Sequence, residues 1–224
     1  TVRENQVEEA LEDISKNKSP NVVTMINTIK PYGRWEKICG KGRILPAFPG
    51  AGGCIEGGIL DAQLLPRAIQ PTTFGEIGGR KSSREEALAY IFRKSHIPYQ
   101  IVPEMHHWQI SHLGVIIPLA DAYYQSRHPE KICANEKLMT LTAYRMKKNL
   151  KWIAQKGMLC PAKLYMIKDM PTGMLARVLS RVYQSEFGNR FLYRHAMHAP
   201  EEFQRLHQEF YNYMKTHTKE SNKA

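Results

Sequence analysis

The spacing of apolar and polar positions divides the chain into two parts with different periods. In the first 102 residues, short apolar runs typical of strands alternate with patterns that carry an apolar residue every third or fourth position, as helices do. The predicted helices are residues 6–16, 34–38 and 82–95, and the predicted strands are residues 21–26, 43–45, 58–65, 69–75 and 99–102. Beyond residue 104 only helical patterns follow, at residues 105–126, 135–156, 173–184 and 200–216. This order predicts an α/β layer followed by an all-α region.

Local signals refine these elements. Ser82 precedes a helical pattern that carries Glu85 and Glu86 in its first turn, which predicts an N-cap and a favourable helix dipole interaction. The strand at residues 43–45 is expected to enter a small-residue loop over residues 46–53, and the next two strands are expected to turn back near Pro66.

Two sets of residues are defined by composition alone. Glycines that can turn with positive φ, or let the backbone pass close to a ligand, are Gly52, Gly53, Gly57 and Gly58. An apolar stripe in the last helical pattern, typical of a core or of a dimer contact, consists of Phe203, Leu206, Phe210 and Met214.

Charge is distributed unevenly. The net charge is +11, yet the first 126 residues carry 14 basic and 13 acidic side chains, whereas the rest carry 18 and 8. A positive field over the helical part favours anionic partners such as phosphorylated cofactors and carboxylates, or is simply a solvated lysine-rich face. Because no helix-turn-helix, stacking platform or zinc motif accompanies the charge, the sequence argues against nucleic-acid binding.

The remaining composition indicates a folded cytoplasmic protein. No apolar run reaches the length of a membrane span, and no signal peptide is visible. The four cysteines, which form no CxxC pair, are expected to be free thiols. Hydrophobic residues make up 42% of the chain, which is enough for a core.

Four segments in a shared order resemble the ketopantoate reductase (2-dehydropantoate 2-reductase) family. They are Thr1–Val7, Met25–Thr28, Arg43–Gly79 and Glu104–Trp108. The resemblance implies the second half of a Rossmann-like dinucleotide-binding domain at residues 1–103. It also implies a helical substrate-binding and dimerisation domain at residues 104–224. The pyrophosphate-binding motif G-x-G-x-x-G is not found in these residues, so the chain is expected to be the C-terminal part of a longer protein.

The same resemblance implies an NADPH-dependent reduction of a small 2-oxo acid, and the apolar stripe of the last helical pattern predicts a homodimer. The resemblance places Arg3, Gln6 and Asn27 at the NADP cofactor, and Asn27 and Asn189 at the substrate. Where the family has Gly after the Asn of this turn, the chain has Thr28, which brings close backbone approach into question. Without the resemblance, Asn27 is explained as an ordinary turn residue and Arg3 as a surface charge.

The family's proton-donating Lys, two residues after the Trp, is replaced by Ile110. Reduction of a ketone still requires a proton for the developing alkoxide. His112, whose unperturbed pKa suits acid catalysis, is one candidate donor, and Glu201, matched to a family Pro-Glu, is the other, with Glu202 as its equal. Both carboxylates are also explained as dipole partners at a helix start, and His112 as a packed histidine.

The sequence bears on two other interpretations, a metal site and a protein without catalysis. The three histidines 106, 107 and 112 have no ligand spacing such as H-E-x-x-H, so no metal is predicted. The alternative function is a ligand-binding or structural relative that has lost the catalytic Lys, and with it catalysis.

Overall fold

The computed structural model describes Val2 and residues 4–221. The strands are β1 (Val22–Met25), β2 (Ile44–Phe48), β3 (Ala51–Glu56), β4 (Ile59–Leu64), β5 (Thr72–Phe74) and β6 (Tyr99–Ile101). The α-helices are α1 (Val7–Ser15), α2 (Gly33–Cys39), α3 (Ser83–Lys94), α4 (Met105–Gln125), α5 (Glu136–Gln155), α6 (Lys163–Asp169), α7 (Thr172–Gln184), α8 (Arg194–His198) and α9 (Pro200–Ser221). Short 3₁₀ segments lie at Glu4–Gln6 and Pro129–Ala134, and a π-helical segment lies at Gly188–Tyr193.

A mixed sheet organises the first part of the chain, in the order β1-β2-β5-β6. β1 runs parallel to β2, β2 antiparallel to β5, and β5 parallel to β6. The carboxyl ends of β1 and β2 therefore share one edge of the sheet with the amino ends of β5 and β6. Together with the helices that follow, this sheet confirms the predicted α/β and then all-α fold class.

β2 is buried along almost its whole length, because helices pack against the sheet. Leu45 and Ala47 are two residues apart and therefore lie on the same face of β2. They pack with Phe74 of β5 and with Ala89 and Phe92 of α3. An almost continuous apolar strand of this kind is typical of an α/β layer with both faces covered.

The chain does turn at Pro66, whose carbonyl accepts from the Ile69 and Gln70 N–H groups at 2.9 and 3.1 Å, but the strands before and after this turn do not pair with each other. β3 pairs with β4, and the connection between them is Gly57 and Gly58, with φ of 57° and 80°. Two consecutive positive φ angles suit a tight hairpin turn, which explains why two glycines stand there. β5 instead pairs with β2, through Ala47↔Phe74 and Phe48↔Thr73.

The predicted loop over residues 46–53 is also wrong in part, since it contains the end of β2 and the start of β3. Proline and glycine are depleted in strands, and they hid these strand residues from the pattern. Gly50 and Gly75 are needed for a different reason. A Cβ on Gly75 would lie 2.1 Å from the Val102 carbonyl oxygen, and one on Gly50 would lie 2.2 Å from the Thr72 nitrogen.

The chain forms two compact units. One comprises the chain up to residue 52 together with residues 61–109, and the other comprises residues 53–60 together with the chain from residue 110. The functional division expected after residue 103 stays a prediction. None of the helices in the described part of the chain is both long and apolar enough to cross a membrane.

In the helical unit, the apolar stripe of α9 belongs to the core. Phe203, Leu206 and Phe210 are buried within the chain itself, and Met214 is half-buried. Of the two predicted roles, core packing is the one that the structure supports, so the stripe offers no dimer surface. The sequence pattern missed α6 and α8, which are short.

Helix α4 contains Pro118 in its interior. Proline has no N–H to donate to the carbonyl four residues earlier, which belongs to Gly114. The amide Nδ2 of Asn149, on α5, donates to that oxygen at 3.2 Å, and Asn149 is buried. A residue on a neighbouring helix thus satisfies the carbonyl that proline leaves unpaired.

Candidate functional site

Asn27 lies just beyond the carboxyl end of β1, at the sheet edge where open α/β folds bind ligands. Its side chain is half-buried, and its Oδ1 has no hydrogen-bond partner within the described part of the chain. A buried amide oxygen without a partner costs about 1–3 kcal/mol, so the atom is suited to receive a donor from a ligand.

The turn after Asn27 is held by a side-chain network. Thr28 is fully buried, and its Oγ1 accepts from the Lys30 N–H at 3.1 Å. Glu4, also buried, pairs with Arg34 and lies 3.4 Å from Lys30 Nζ. In the described residues His96 is the one non-glycine residue with positive φ, so Thr28 adopts this turn without left-handed strain. The glycine expected at this position is therefore not required.

The start of α4 is anchored on the same turn. Nε2 of His106 lies 2.8 Å from the Ile29 carbonyl oxygen. The side-chain amide of Gln109 donates to the Ile26 carbonyl at 2.8 Å and accepts from the Tyr32 hydroxyl at 2.9 Å. Burial raises the pKa of Tyr32 above its usual range, with Glu104 adding to the effect, so the phenol stays protonated. The bonds from His106 and Gln109 to the Ile29 and Ile26 carbonyls fix the position of the Asn27 turn relative to the first turn of α4.

Ile110, at the position that the resemblance gives to a lysine, is fully buried. Trp108, two residues before it, is buried as well, and its ring lies 5.3 Å from that of Phe48. Neither side chain supplies a proton to a ligand.

In the helical unit, His112 belongs to an electrostatic cluster that joins α4, α8 and α9. The pKa of His112 is lowered to about 3. Burial is the main cause of this shift, and the neighbouring His195 contributes to it. The pKa of His195 is itself lowered, first by desolvation and then by His198, while Glu202 opposes the shift. At neutral pH both imidazoles are therefore neutral. Of the two candidate carboxylates, Glu202 is the one that acts on this cluster.

The other predicted site residues are placed as follows. Glu201 is exposed in the first turn of α9, and Asn189 is exposed in the π-helical segment. Gln6 is exposed at the end of the first 3₁₀ segment, and Arg3 lies outside the described residues. The roles assigned to these residues, and to His112 and Asn27, stay predictions.

An aspartate–histidine pair that the sequence analysis missed lies between α4 and α9. Asp121 accepts from Nδ1 of His207 through both carboxylate oxygens, at 3.0 and 2.9 Å. Burial raises the pKa of Asp121, and His207 opposes that shift. A cavity of about 530 Å³ lies beside the pair, lined also by Tyr124, Pro200, Gln204 and Gln208. The two residues are 86 positions apart, so no local pattern could have joined them.

Gln109 and Tyr32 were missed as well. A signal did exist, because Gln109, Ser111 and His112 interrupt an otherwise apolar helical segment. Buried polar side chains of this kind require partners. Which partners they have could not be deduced before the turn at residues 26–32 was placed beside α4.

Similar folds occur among solved structures of oxidoreductases. The 2-dehydropantoate 2-reductase of Geobacter metallireducens GS-15 matches 92% of this chain and 69% of its own, with 16% identity and a TM-score of 0.57. A D-mandelate dehydrogenase, solved as a complex with NADH, matches 96% of this chain and 77% of its own, with 13% identity and a TM-score of 0.50. No family model and no curated protein sequence matches the chain. At these identities the likeness shows a ketopantoate-reductase-like fold.

Proposed function

We propose that the protein is an NAD(P)-dependent oxidoreductase that interconverts a small 2-oxo acid and its 2-hydroxy acid. The fold is shared with a 2-dehydropantoate 2-reductase and with a D-mandelate dehydrogenase bound to NADH. NADPH reduction of a ketopantoate-like acid, the finer form of this proposal, comes from the sequence resemblance.

The observation that carries the proposal is the buried, unpartnered Oδ1 of Asn27 at the end of β1. Amide and hydroxyl donors of a dinucleotide are suited to this acceptor, and the cost of burial is offset only when a donor arrives. Arg3 and Gln6 are proposed to lie on the cofactor side, and Asn189 on the substrate side. When bound, the nicotinamide supplies or takes a hydride.

Proton transfer is proposed for His112, with Glu201 as the second candidate. A neutral imidazole accepts a proton, which suits oxidation of a hydroxy acid. For reduction the ring must carry a proton, and a nearby anionic ligand raises the pKa of a histidine and favours that form. The pKa of about 3 in the free protein therefore predicts that ligand binding and proton uptake are linked.

We further propose a cofactor domain over residues 1–103 and a substrate and dimerisation domain over residues 104–224, in a cytoplasmic homodimer. Since the α9 stripe is buried, the dimer would use another surface. Light scattering that gives twice the mass of one chain would support the dimer, and a monomer at high concentration would contradict it.

The test is binding and turnover by the protein expressed from its complete coding sequence. Calorimetry with NADPH and NADH, followed by consumption of the reduced cofactor with a panel of 2-oxo acids, should reveal one preferred pair. Asn27→Ala should weaken dinucleotide binding, whereas Asn189→Ala should affect the substrate alone. If the complete protein binds neither nucleotide, the proposal fails.

One observation favours a second candidate, a ligand-binding relative without catalysis. Ile110 replaces the expected lysine and is fully buried, so no residue at that position donates a proton. This candidate predicts nucleotide or oxo-acid binding without turnover, and single-turnover measurements with the reduced cofactor separate it from a slow enzyme.

A further inference from the structure

Gln109 occupies a special place in the first unit. It is 2% exposed, although glutamine is usually a surface residue. Both ends of its amide are used: Nε2 donates to the Ile26 carbonyl at 2.8 Å and Oε1 accepts from the Tyr32 hydroxyl at 2.9 Å. A fully satisfied buried amide of this kind holds its neighbours in one arrangement.

The bonded carbonyl belongs to the peptide that joins Ile26 to Asn27. Its oxygen lies in the same plane as the backbone N–H of Asn27, since the peptide unit is planar. A hydrogen bond that holds this oxygen therefore also holds the peptide plane that contains the Asn27 backbone nitrogen. The unpartnered Oδ1 of Asn27 extends from that residue.

We infer that Gln109 is a positioning residue, which holds the Ile26–Asn27 peptide so that the Asn27 side chain is ready for its ligand. The inference rests on the proposed function in one respect, namely that Asn27 binds the dinucleotide. The two ends of the Gln109 amide differ in chemistry, and this difference determines which end faces which partner. Ile26 oxygen can only accept, so Nε2 must face it and Oε1 must face Tyr32.

This orientation makes a sharp substitution available. Gln109→Glu keeps the shape and the acceptor for Tyr32, but an ionised carboxylate has no proton to donate to Ile26. A protonated carboxyl group does have one, and burial favours the protonated form. The variant should be impaired at high pH and recover as pH falls through the raised pKa of the new carboxyl group.

The matched control is Tyr32→Phe. It removes the other hydrogen bond of the same amide and leaves the bond to Ile26 in place, so its loss of stability should be similar. If Gln109 served stability alone, the two variants would behave alike. If it positions Asn27, only substitutions at Gln109 should change ligand binding.

The first measurement needs no ligand. The backbone amide resonance of Asn27 should shift, and its hydrogen exchange should become faster, in Gln109→Met and in Gln109→Glu at high pH. In Tyr32→Phe it should stay near the wild-type position. An unchanged Asn27 resonance in Gln109→Met would overturn the inference, whatever the protein binds.

The second measurement is the affinity for NADPH and NADH. Gln109→Met should weaken binding about tenfold, the scale of one lost hydrogen bond to a buried group. It should add little to Asn27→Ala, because the two residues act through one contact. If Asn27→Ala weakens binding and Gln109→Met does not, the positioning role is wrong while the proposed function stands. If the wild-type protein binds neither nucleotide, the proposed function fails, and the resonance alone decides whether Gln109 positions Asn27.

Discussion

Asn149 Nδ2 lies 3.2 Å from the carbonyl oxygen of Gly114, which loses its helical partner because Pro118 has no N–H. The pairing predicts that Asn149→Leu leaves a buried carbonyl unsatisfied. The free energy of unfolding should fall by about 1–3 kcal/mol, as measured by chemical denaturation.

Pro118→Ala provides the background that isolates this effect. Alanine restores a backbone N–H at residue 118, which can bond Gly114 within α4. Asn149→Leu should then cost less in Pro118→Ala than in the wild type, giving a coupling energy of about 1 kcal/mol. Equal costs in both backgrounds would show that Asn149 acts through other contacts, such as its 3.4 Å approach to the Tyr211 hydroxyl.

Glu76 and Arg84 form a partly buried ion pair near the amino end of α3. The hydrogen bond from Arg84 lowers the pKa of Glu76, against the effect of burial. Because the pKa is lowered on folding, the stabilisation is present above the unfolded pKa and is lost as pH falls through the folded value. Glu76→Gln should therefore destabilise the protein by about 1–3 kcal/mol at neutral pH.

The difference between Glu76→Gln and the wild type should shrink as the solution is acidified below the unfolded pKa of about 4.5. Thermal unfolding at a series of pH values measures it. A pH-independent difference would mean that lost packing, and not lost charge, is responsible.

His112→Ala should lower turnover about 10²–10⁴-fold if His112 is the proton donor or acceptor. Substrate binding should change less, since the interaction is made in the transition state. If His112 only packs, the variant should lose stability and keep its turnover per folded molecule. Both quantities should be measured on the same preparation.

The low pKa of His112 also has a consequence for stability. Because folding lowers the pKa of His112 to about 3, the folded protein favours the neutral imidazole. The stability that this preference contributes is lost as pH falls from about 6.5 toward about 3. His112→Ala should flatten this part of the stability profile. A profile identical to that of the wild type would indicate that His112 is readily protonated in the folded protein.

Ile110→Lys should not restore a lysine-dependent reductase. The wild-type side chain is fully buried, and a buried ammonium without a partner costs several kcal/mol or is deprotonated. We expect a large fall in melting temperature, whereas Ile110→Val should cost about 0.5–1.5 kcal/mol. A stable Ile110→Lys protein with new activity toward ketopantoate would contradict this expectation and support a recent loss of the acid.

The sequence predicted those features that local patterns determine. The N-cap at Ser82 is confirmed, because its hydroxyl accepts from the Glu85 N–H. The pairing of β5 with β2 was not predicted, since it depends on residues brought together across the intervening hairpin. The same reason hid Gln109 as the partner of Ile26 and His207 as the partner of Asp121, whereas Asn27 was singled out by the resemblance of the segment Met25–Thr28.

The chain leaves the four-stranded sheet after β2, forms the β3–β4 hairpin and returns to the sheet as β5. Phe48 pairs with Thr73, and the Gly50 N–H donates to the Thr72 hydroxyl at 3.0 Å. The two ends of the excursion are thus already adjacent, and the entropy of closing a connection there rises only slowly with its length. This stretch of chain is therefore a natural place for relatives to differ in length, and for a designer to shorten or lengthen the protein without rebuilding the sheet.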